Sequence, residues 1–290
     1  MADVRRMTDT AGRKPARVFV NIPILNEIDL IDRLLNRVTN ALEAYDCIVL
    51  IVDDGSTDGT LERVRAVVAG SHGRVALLSR KKGRADCQRG AALLAGLKWG
   101  LGAGEFDVFV EMDGDLSHIP EDLPLGIETI LSGRCDIAIA SKYVDGSITT
   151  GRSFGRRAVS VICNVAVRAM IDRRVHDYSN GYRFYNRRAA ALIPQYEIRY
   201  GSPVYLTEAM AIWLRNGMRV VEIPGHYVGR NEGFSKLRLS DYMKAAVGVV
   251  EIGARYRVTG FTRATQTVAA ETPDDAPAAA AIGPGTHRDR

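Results

Sequence analysis

Cys47-Ile48-Val49-Leu50-Ile51-Val52-Asp53-Asp54-Gly55-Ser56-Thr57-Asp58-Gly59-Thr60 decides how this chain is read. A mostly β-branched apolar run continues without interruption to Val52 and then stops at two carboxylates. Such a run describes a strand covered on both faces, as in a parallel sheet packed between helices. The small and polar residues after it describe a turn, with a helix expected from about Leu61. Taken alone, Asp53-Asp54-Gly55-Ser56 is turn chemistry with a helix cap at Ser56, Thr57 or Asp58. Its position argues for more, because ligands of open α/β sheets bind beyond the carboxyl ends of the strands.

The same unit recurs on either side. Arg17-Val18-Phe19-Val20-Asn21-Ile22 reads as a first strand ended by Pro23, and the loop Ile24-Leu25-Asn26-Glu27 leads into a helix with apolar positions at Ile28, Leu30, Ile31, Leu34, Leu35 and Val38. Val75-Ala76-Leu77-Leu78 is a third strand, followed by the basic stretch Arg80-Lys81-Lys82-Gly83-Arg84 and a small-residue helix from about Cys87 to Leu101. Asp107-Val108-Phe109-Val110-Glu111-Met112 is a fourth strand, and it too runs into acids, Asp113-Gly114-Asp115-Leu116-Ser117-His118. A helical stretch at 121–132 and a strand at 136–140 continue the alternation. The expected class is α/β with a mainly parallel central sheet flanked by helices. The second half is less regular. A mobile loop at 144–157 feeds a helix at 158–171, and His176 to Arg183 is a polar-aromatic segment of the kind that lines a site. A helix at 204–216, a strand at 219–223 stopped by Pro224, a flexible basic segment from His226 to Arg238 and a helix from Ser240 to about Arg257 complete the chain.

At 290 residues, 46% hydrophobic and 25% charged, the composition is that of a globular protein with one large core or two modest ones. The net charge of +5 favours anionic ligands or an anionic membrane surface only weakly. Nothing interleaves aromatic and basic residues as a nucleic-acid platform would, so no nucleic-acid partner is expected. Cys47, Cys87, Cys135 and Cys163 have no zinc spacing and fit free thiols of a reducing compartment. The start has no apolar signal region, and no run approaches the roughly 18 to 20 apolar residues of a membrane span. A disordered arm is expected over 1–16, one domain over 17–261, and a disordered Ala/Pro-rich tail over 262–290. The expected location is cytoplasmic, peripheral on the cytoplasmic face of a membrane.

Paired acids such as Asp113 and Asp115 suit a hard cation, Mg²⁺ or Mn²⁺, that keeps some waters and shares its other positions with a phosphate-bearing ligand. An Asp after the second strand can accept from a base or ribose. No G-x-G-x-x-G follows the first strand and no G-x-x-x-x-G-K-[ST] occurs, which removes the main support for dehydrogenase and P-loop readings.

Three motifs in order, Pro23-Ile24-Leu25-Asn26-Glu27, Val52 to Thr60 and Asp113 to His118, resemble the family 2 inverting glycosyltransferases with the GT-A nucleotide-diphospho-sugar transferase fold. Ala140-Ser141-Lys142-Tyr143-Val144-Asp145-Gly146, Ser179-Asn180-Gly181-Tyr182-Arg183, Val221-Glu222-Ile223-Pro224 and Gly233-Phe234-Ser235-Lys236-Leu237 resemble its dolichol-phosphate (polyprenol-phosphate) mannosyltransferase branch. The resemblance spans roughly residues 17–257. It implies a nucleotide-sugar set of Pro23, Asn26, Glu27, Asp53, Asp54, Lys82, Asp113 and Gly114, and a metal set of Asp113, Asp115 and Ser117. It places Lys142, Arg156, Arg157, Arg230, Ser235 and Lys236 on the acceptor phosphate, and Asp115, Arg157 and Glu208 at the chemistry. The implied donor is GDP-mannose first and UDP-glucose second. The implied acceptor is a polyprenol phosphate, with a membrane surface or membrane-protein partner. Departures fall at Leu25, where an aromatic residue is usual, at Lys142, where Arg is usual, and at Asn180, where Ser or Thr is usual; His176 has no counterpart.

A phosphate acceptor, with a second pKa of about 6, is mostly dianionic near neutral pH and needs cations rather than a base. Arg152, Arg156, Arg157, Arg230, Lys236 and Arg238 offer that charge. A hydroxyl acceptor on a glycan or small molecule would need a base. Asp177 and Glu208 are the candidates, Glu208 standing where hydroxyl-using relatives carry theirs. Two further readings are a dehalogenase-type phosphatase, whose Asp-x-Asp normally opens its chain, and a non-catalytic nucleotide-sugar-binding subunit.

Overall fold

In the computed structural model, which describes residues 15–80, 88–151, 154–229 and 239–265, strand β1 (Arg17–Ile24) lies near the middle of the sheet. It is flanked on one side by β2 (Asp46–Asp53), which pairs outward with β3 (Val75–Ser79), and on the other by β4 (Val108–Glu111), all parallel. The order in which strands are added therefore reverses at β1 and β4, the kind of switch point where a crevice opens beyond the strand ends. Beyond β4 lie β7 (Arg183–Asn186), β5 (Ile137–Ser141) and β8 (Val220–Pro224). Strand β7 is antiparallel to both β4 and β5, while β5 and β8 are parallel. The carboxyl ends of six strands thus share one edge with the entry to β7.

Alternation along β1 divides the interior. Val18, Val20 and Ile22 face the core formed with α1 (Ile31–Ala41), α2 (Thr60–Gly70) and α4 (Leu123–Leu131). Phe19 faces the larger core, shared with α3 (Arg89–Ala103), α6 (Arg187–Leu192) and α7 (Tyr205–Arg215). The latter face also takes α5 (Phe154–Met170) and α8 (Leu239–Ala254), which pack together. The small residues of α3 let it lie directly on β1: a Cβ at Gly100 would come within 2.5 Å of the Phe19 ring.

Several expectations need revision. Strand β7 begins at Arg183, the last residue of the segment expected to line a site, and with helix α6 it fills a stretch for which the sequence pattern predicts no element. The expected loop at 144–157 contains a strand, β6 (Ile148–Thr150), that pairs in parallel with β9 (His226–Val228), inside the expected flexible segment. Helix α5 starts earlier than 158, at Phe154. The expected tail boundary at 262 moves outward, because Thr262 O accepts from Glu197 N–H at 2.9 Å and Ala264 N–H donates to Gln195 O at 2.9 Å. The remainder of the tail, and the expected arm up to residue 14, lie outside the described residues.

Candidate active site

The loops after β1 and β2 are stitched into one wall. Asn26, at φ +57°, donates its N–H to Ser56 Oγ at 2.9 Å and accepts Thr57 N–H on Oδ1 at 2.8 Å. The left-handed conformation is one that Asn tolerates better than most residues. Glu27 N–H reaches Thr60 Oγ1 at 3.0 Å, and Ile28 N–H reaches Asp58 Oδ2 at 3.2 Å. The Asp53 carboxylate, fully buried, accepts the N–H groups of Gly55 and Ser56, both at 3.1 Å on Oδ2. It therefore shapes the turn. Asp54, also buried, pairs with Arg80, a residue of the basic stretch. Lys82 lies outside the described residues.

The turn after β4 sits against the end of β1. A Cβ on Gly114 would meet Ile24 Cγ2 at 2.6 Å, so only glycine allows the approach. Leu116 takes a left-handed φ of +57°, and Ser117 N–H donates to Asp115 Oδ1 at 2.9 Å. Asp113 and Asp115 are both half-buried. Behind them His118 stacks on Tyr182, ring centroids 4.9 Å apart, and its Nδ1 accepts Asp113 N–H at 3.0 Å. That bond leaves Nε2 facing the Asp113 carboxylate at 3.7 Å. Burial holds the imidazole below its ordinary pKa, against the pull of Asp113. Arg89, at the start of α3, forms an ion pair with Asp113. The sequence pattern puts Arg89 inside a helix and assigns it no role; the signal it carries is a cation at a helix start with no acid in the first turn.

The sequence pattern described as Glycosyl transferase family 2 matches residues 19–192, more than half of the chain. The chain belongs to this family. This glycosyltransferase is 34% identical over 256 residues to the polyprenol monophosphomannose synthase of Mycolicibacterium smegmatis, covering 86% of this chain and 93% of that protein. It is 34% identical over 250 residues to the undecaprenyl-phosphate mannosyltransferase of Micrococcus luteus, covering 84% of this chain and 97% of that one. Among solved structures it is similar to glucosyl-3-phosphoglycerate synthase from Mycobacterium tuberculosis in complex with Mn²⁺, UDP-glucose and glycerol 3-phosphate. There the TM-score is 0.56 at 17% identity, over 83% of this chain and 80% of that one. That likeness is one of fold, and the fold is GT-A.

The other expected residues of the glycosyltransferase separate into three groups. Pro23, expected to end β1, lies within it opposite Val52, and the strand runs one residue further to Ile24, adjoining the stitched loops. Lys142 stands at the end of β5, its Nζ 3.9 Å from Asp177 Oδ2 and 4.9 Å from the centre of the Tyr227 ring. Arg156 and Arg157 belong to the first turn of α5, with side chains outside the described structure, as are Arg152, Arg230, Ser235, Lys236 and Arg238. The carboxylate oxygens of the two candidate bases already accept bonds from within the protein. Glu208 is fully buried; its Oε1 takes Arg255 Nη1 at 2.6 Å, and its Oε2 takes the N–H groups of Arg199 and Tyr200 at 3.0 and 3.1 Å. Asp177 is likewise buried and accepts from Ser179, Asn180 and Lys142 backbone N–H groups. Asn180 and Arg183 satisfy neighbouring carbonyls from within the core, and His176 Nδ1 pairs with Glu222 at 2.7 Å.

The donors around Asp113 fit a divalent ion. Ser117 Oγ is buried beside them without a hydrogen-bond partner among the described residues, which leaves a lone pair to offer. Among those residues no three His, Cys, Asp or Glu side chains gather into a closed cage. Two carboxylates and a hydroxyl suit Mg²⁺ or Mn²⁺, which retain waters and take phosphate oxygens as further ligands.

Proposed function

We propose that this chain transfers a hexose, mannose first and glucose second, from a nucleotide diphosphate sugar to a polyprenol phosphate, with inversion at the sugar carbon. The observation that carries the reading is the meeting of the Asn26–Asp54 wall with the Asp113–Ser117 turn at the β1/β4 switch point. The names of the full-length relatives support the choice of lipid acceptor and mannose, and mannose makes GDP-mannose the first donor to try.

Asp113, Asp115 and Ser117 would hold Mg²⁺ or Mn²⁺, which supplies neutralisation of the diphosphate as it departs. The stitched loops around Asn26 and Asp54 form the wall for base and ribose. Attack by the acceptor oxygen from the face opposite the diphosphate gives inversion. The acceptor is already anionic, so no residue has to remove a proton; the engaged oxygens of Glu208 and Asp177 agree with a base-free route. Lys142, Arg156, Arg157, Arg230, Ser235 and Lys236 orient the acceptor phosphate, with Lys142 acting as a point charge.

No described helix is long and apolar enough to cross a membrane. The lipid tail of the acceptor nevertheless stays in a bilayer. Val161 and Val165 on α5 and Val247 and Val250 on α8 are exposed on helices that pack together, and this face is the proposed contact with the membrane surface.

The test is incubation of the purified protein with polyprenol phosphate and either GDP-mannose or UDP-glucose in Mn²⁺, with a sugar hydroxyl acceptor in parallel. A lipid-linked hexose is expected, and its yield should fall to background for Asp115→Ala. Full activity of folded Asp115→Ala would overturn the reading.

A further inference from the structure

Arg89 has no part in the scheme above, yet its guanidinium meets the Asp113 carboxylate. It is the first residue of the 15-residue α3, where the positive end of the helix dipole disfavours a cation, and no acid stands in that helix's first turn. The side chain pairs through Nη2 with Asp113 Oδ1. Its Nε and Nη2 are both buried and without a hydrogen-bond partner among the described residues, so the contact with Asp113 is an ion pair and not a hydrogen bond. Gly181 makes room for it, because a Cβ there would collide with the guanidinium. Arg183, itself fully buried, lies close enough for the two cations to repel.

These facts put one carboxylate under two claims. Asp113 balances Arg89, and it is also half of the acidic pair that suits a divalent ion. A doubly charged ion on Asp113 would stand beside a guanidinium already set against a helix dipole and a second arginine. A diphosphate relieves that conflict, since it brings anionic oxygens to the ion and to the planar donor fork of the arginine together. We propose that Arg89 and the divalent ion compete for Asp113, and that Arg89 exchanges Asp113 for the donor diphosphate, so that metal and nucleotide bind as a coupled pair. The proposal rests on the reading of Asp113 and Asp115 as metal ligands. It makes Arg89 a positioning residue that sets the order of assembly.

The test is Mn²⁺ binding, followed by the electron paramagnetic resonance of free Mn²⁺, with and without GDP or UDP. It compares the natural chain with Arg89→Met, Arg89→Lys and Asp115→Asn. Arg89→Met should bind Mn²⁺ alone about tenfold more tightly, and the tightening conferred by nucleotide should shrink about tenfold. By reciprocity, the tightening of nucleotide binding by Mn²⁺ shrinks by the same factor. Arg89→Lys, which keeps the charge but not the fork, should bind Mn²⁺ alone as the natural chain does, with intermediate coupling. Arg89→Gln repeats the comparison if circular dichroism shows Arg89→Met to be misfolded. Equal Mn²⁺ affinity and equal coupling in the natural chain and the uncharged variants, with Asp115→Asn unable to bind Mn²⁺, would overturn the role of Arg89 and leave the metal reading standing. Failure of the natural chain to bind Mn²⁺ with either nucleotide would remove both.

Discussion

Glu208 shows why a carboxylate has to be judged by what already occupies its oxygens. Its place in the chain suggested a base, but Arg255 and two backbone N–H groups use both oxygens. Glu208→Gln would leave the buried Arg255 without its counter-charge, and breaking such a pair costs about 3–5 kcal/mol. The expected outcome is a large fall in the urea midpoint with little change in transfer per folded molecule. Lost transfer at unchanged stability would restore the base. The acids at 53–54 and 113–115 were legible because each follows its own strand, so local sequence carries the signal. The partner of Glu208 is 47 residues away, and nothing near Glu208 announces it. Asp53 was legible in place but not in use: its carboxylate holds the turn, while Asp54 and Arg80 carry the charge pair.

Strands β1 to β5 and most of the helices follow from apolar runs and helical spacing. Strand β7 does not, because it is four residues long and begins with an arginine in the middle of a sheet. Arg183 is tolerated there because it donates to the carbonyls of Tyr178, Asn180 and Leu206. The short pair β6 and β9 was equally hidden, since each finds its partner only across a long separation. The opposite ends of β5, β7 and β8 are tied by Asp136, whose carboxylate accepts Arg219 N–H at 2.9 Å and Asn186 Nδ2 at 3.0 Å. Burial works to raise this carboxyl, but those bonds and the Arg219 charge outweigh it and hold the group below its ordinary pKa. A depressed folded pKa means that the contribution is present above the unfolded value of about 3.9 and is lost as pH falls through the folded one. Asp136→Asn should therefore cost stability at pH 6, and the gap from the natural chain should narrow below pH 4 in urea titrations. A gap that stays constant down to pH 2 would show that the carboxylate contributes shape alone.

The protein as a sheet between two cores was legible in outline, because alternating strands and helices leave few other arrangements. What the alternation did not reveal is that the last third of the chain closes the structure. Arg255, just past α8, ties the end of that helix to Glu208 of α7, and Glu251 of α8 ties it to the loop before α7 by taking Arg199 at 2.7 Å and Tyr200 at 2.6 Å. The antiparallel strand β7 adds a constraint in time. Strands β4 and β5 are made before it, yet within the sheet they are joined only through it. During synthesis, the parallel block β3-β2-β1-β4 therefore has an open edge at β4 until Arg183–Asn186 emerges, and β5 must wait unpaired. Open edges of buried, apolar strands are sites of association between chains. A chain stopped after Asn180 should form aggregates and remain protease-sensitive, whereas one carried through residue 265 should be protected; equal protection of both by limited proteolysis would contradict this. For this protein, assembly is a race between finishing one four-residue strand and meeting a neighbour.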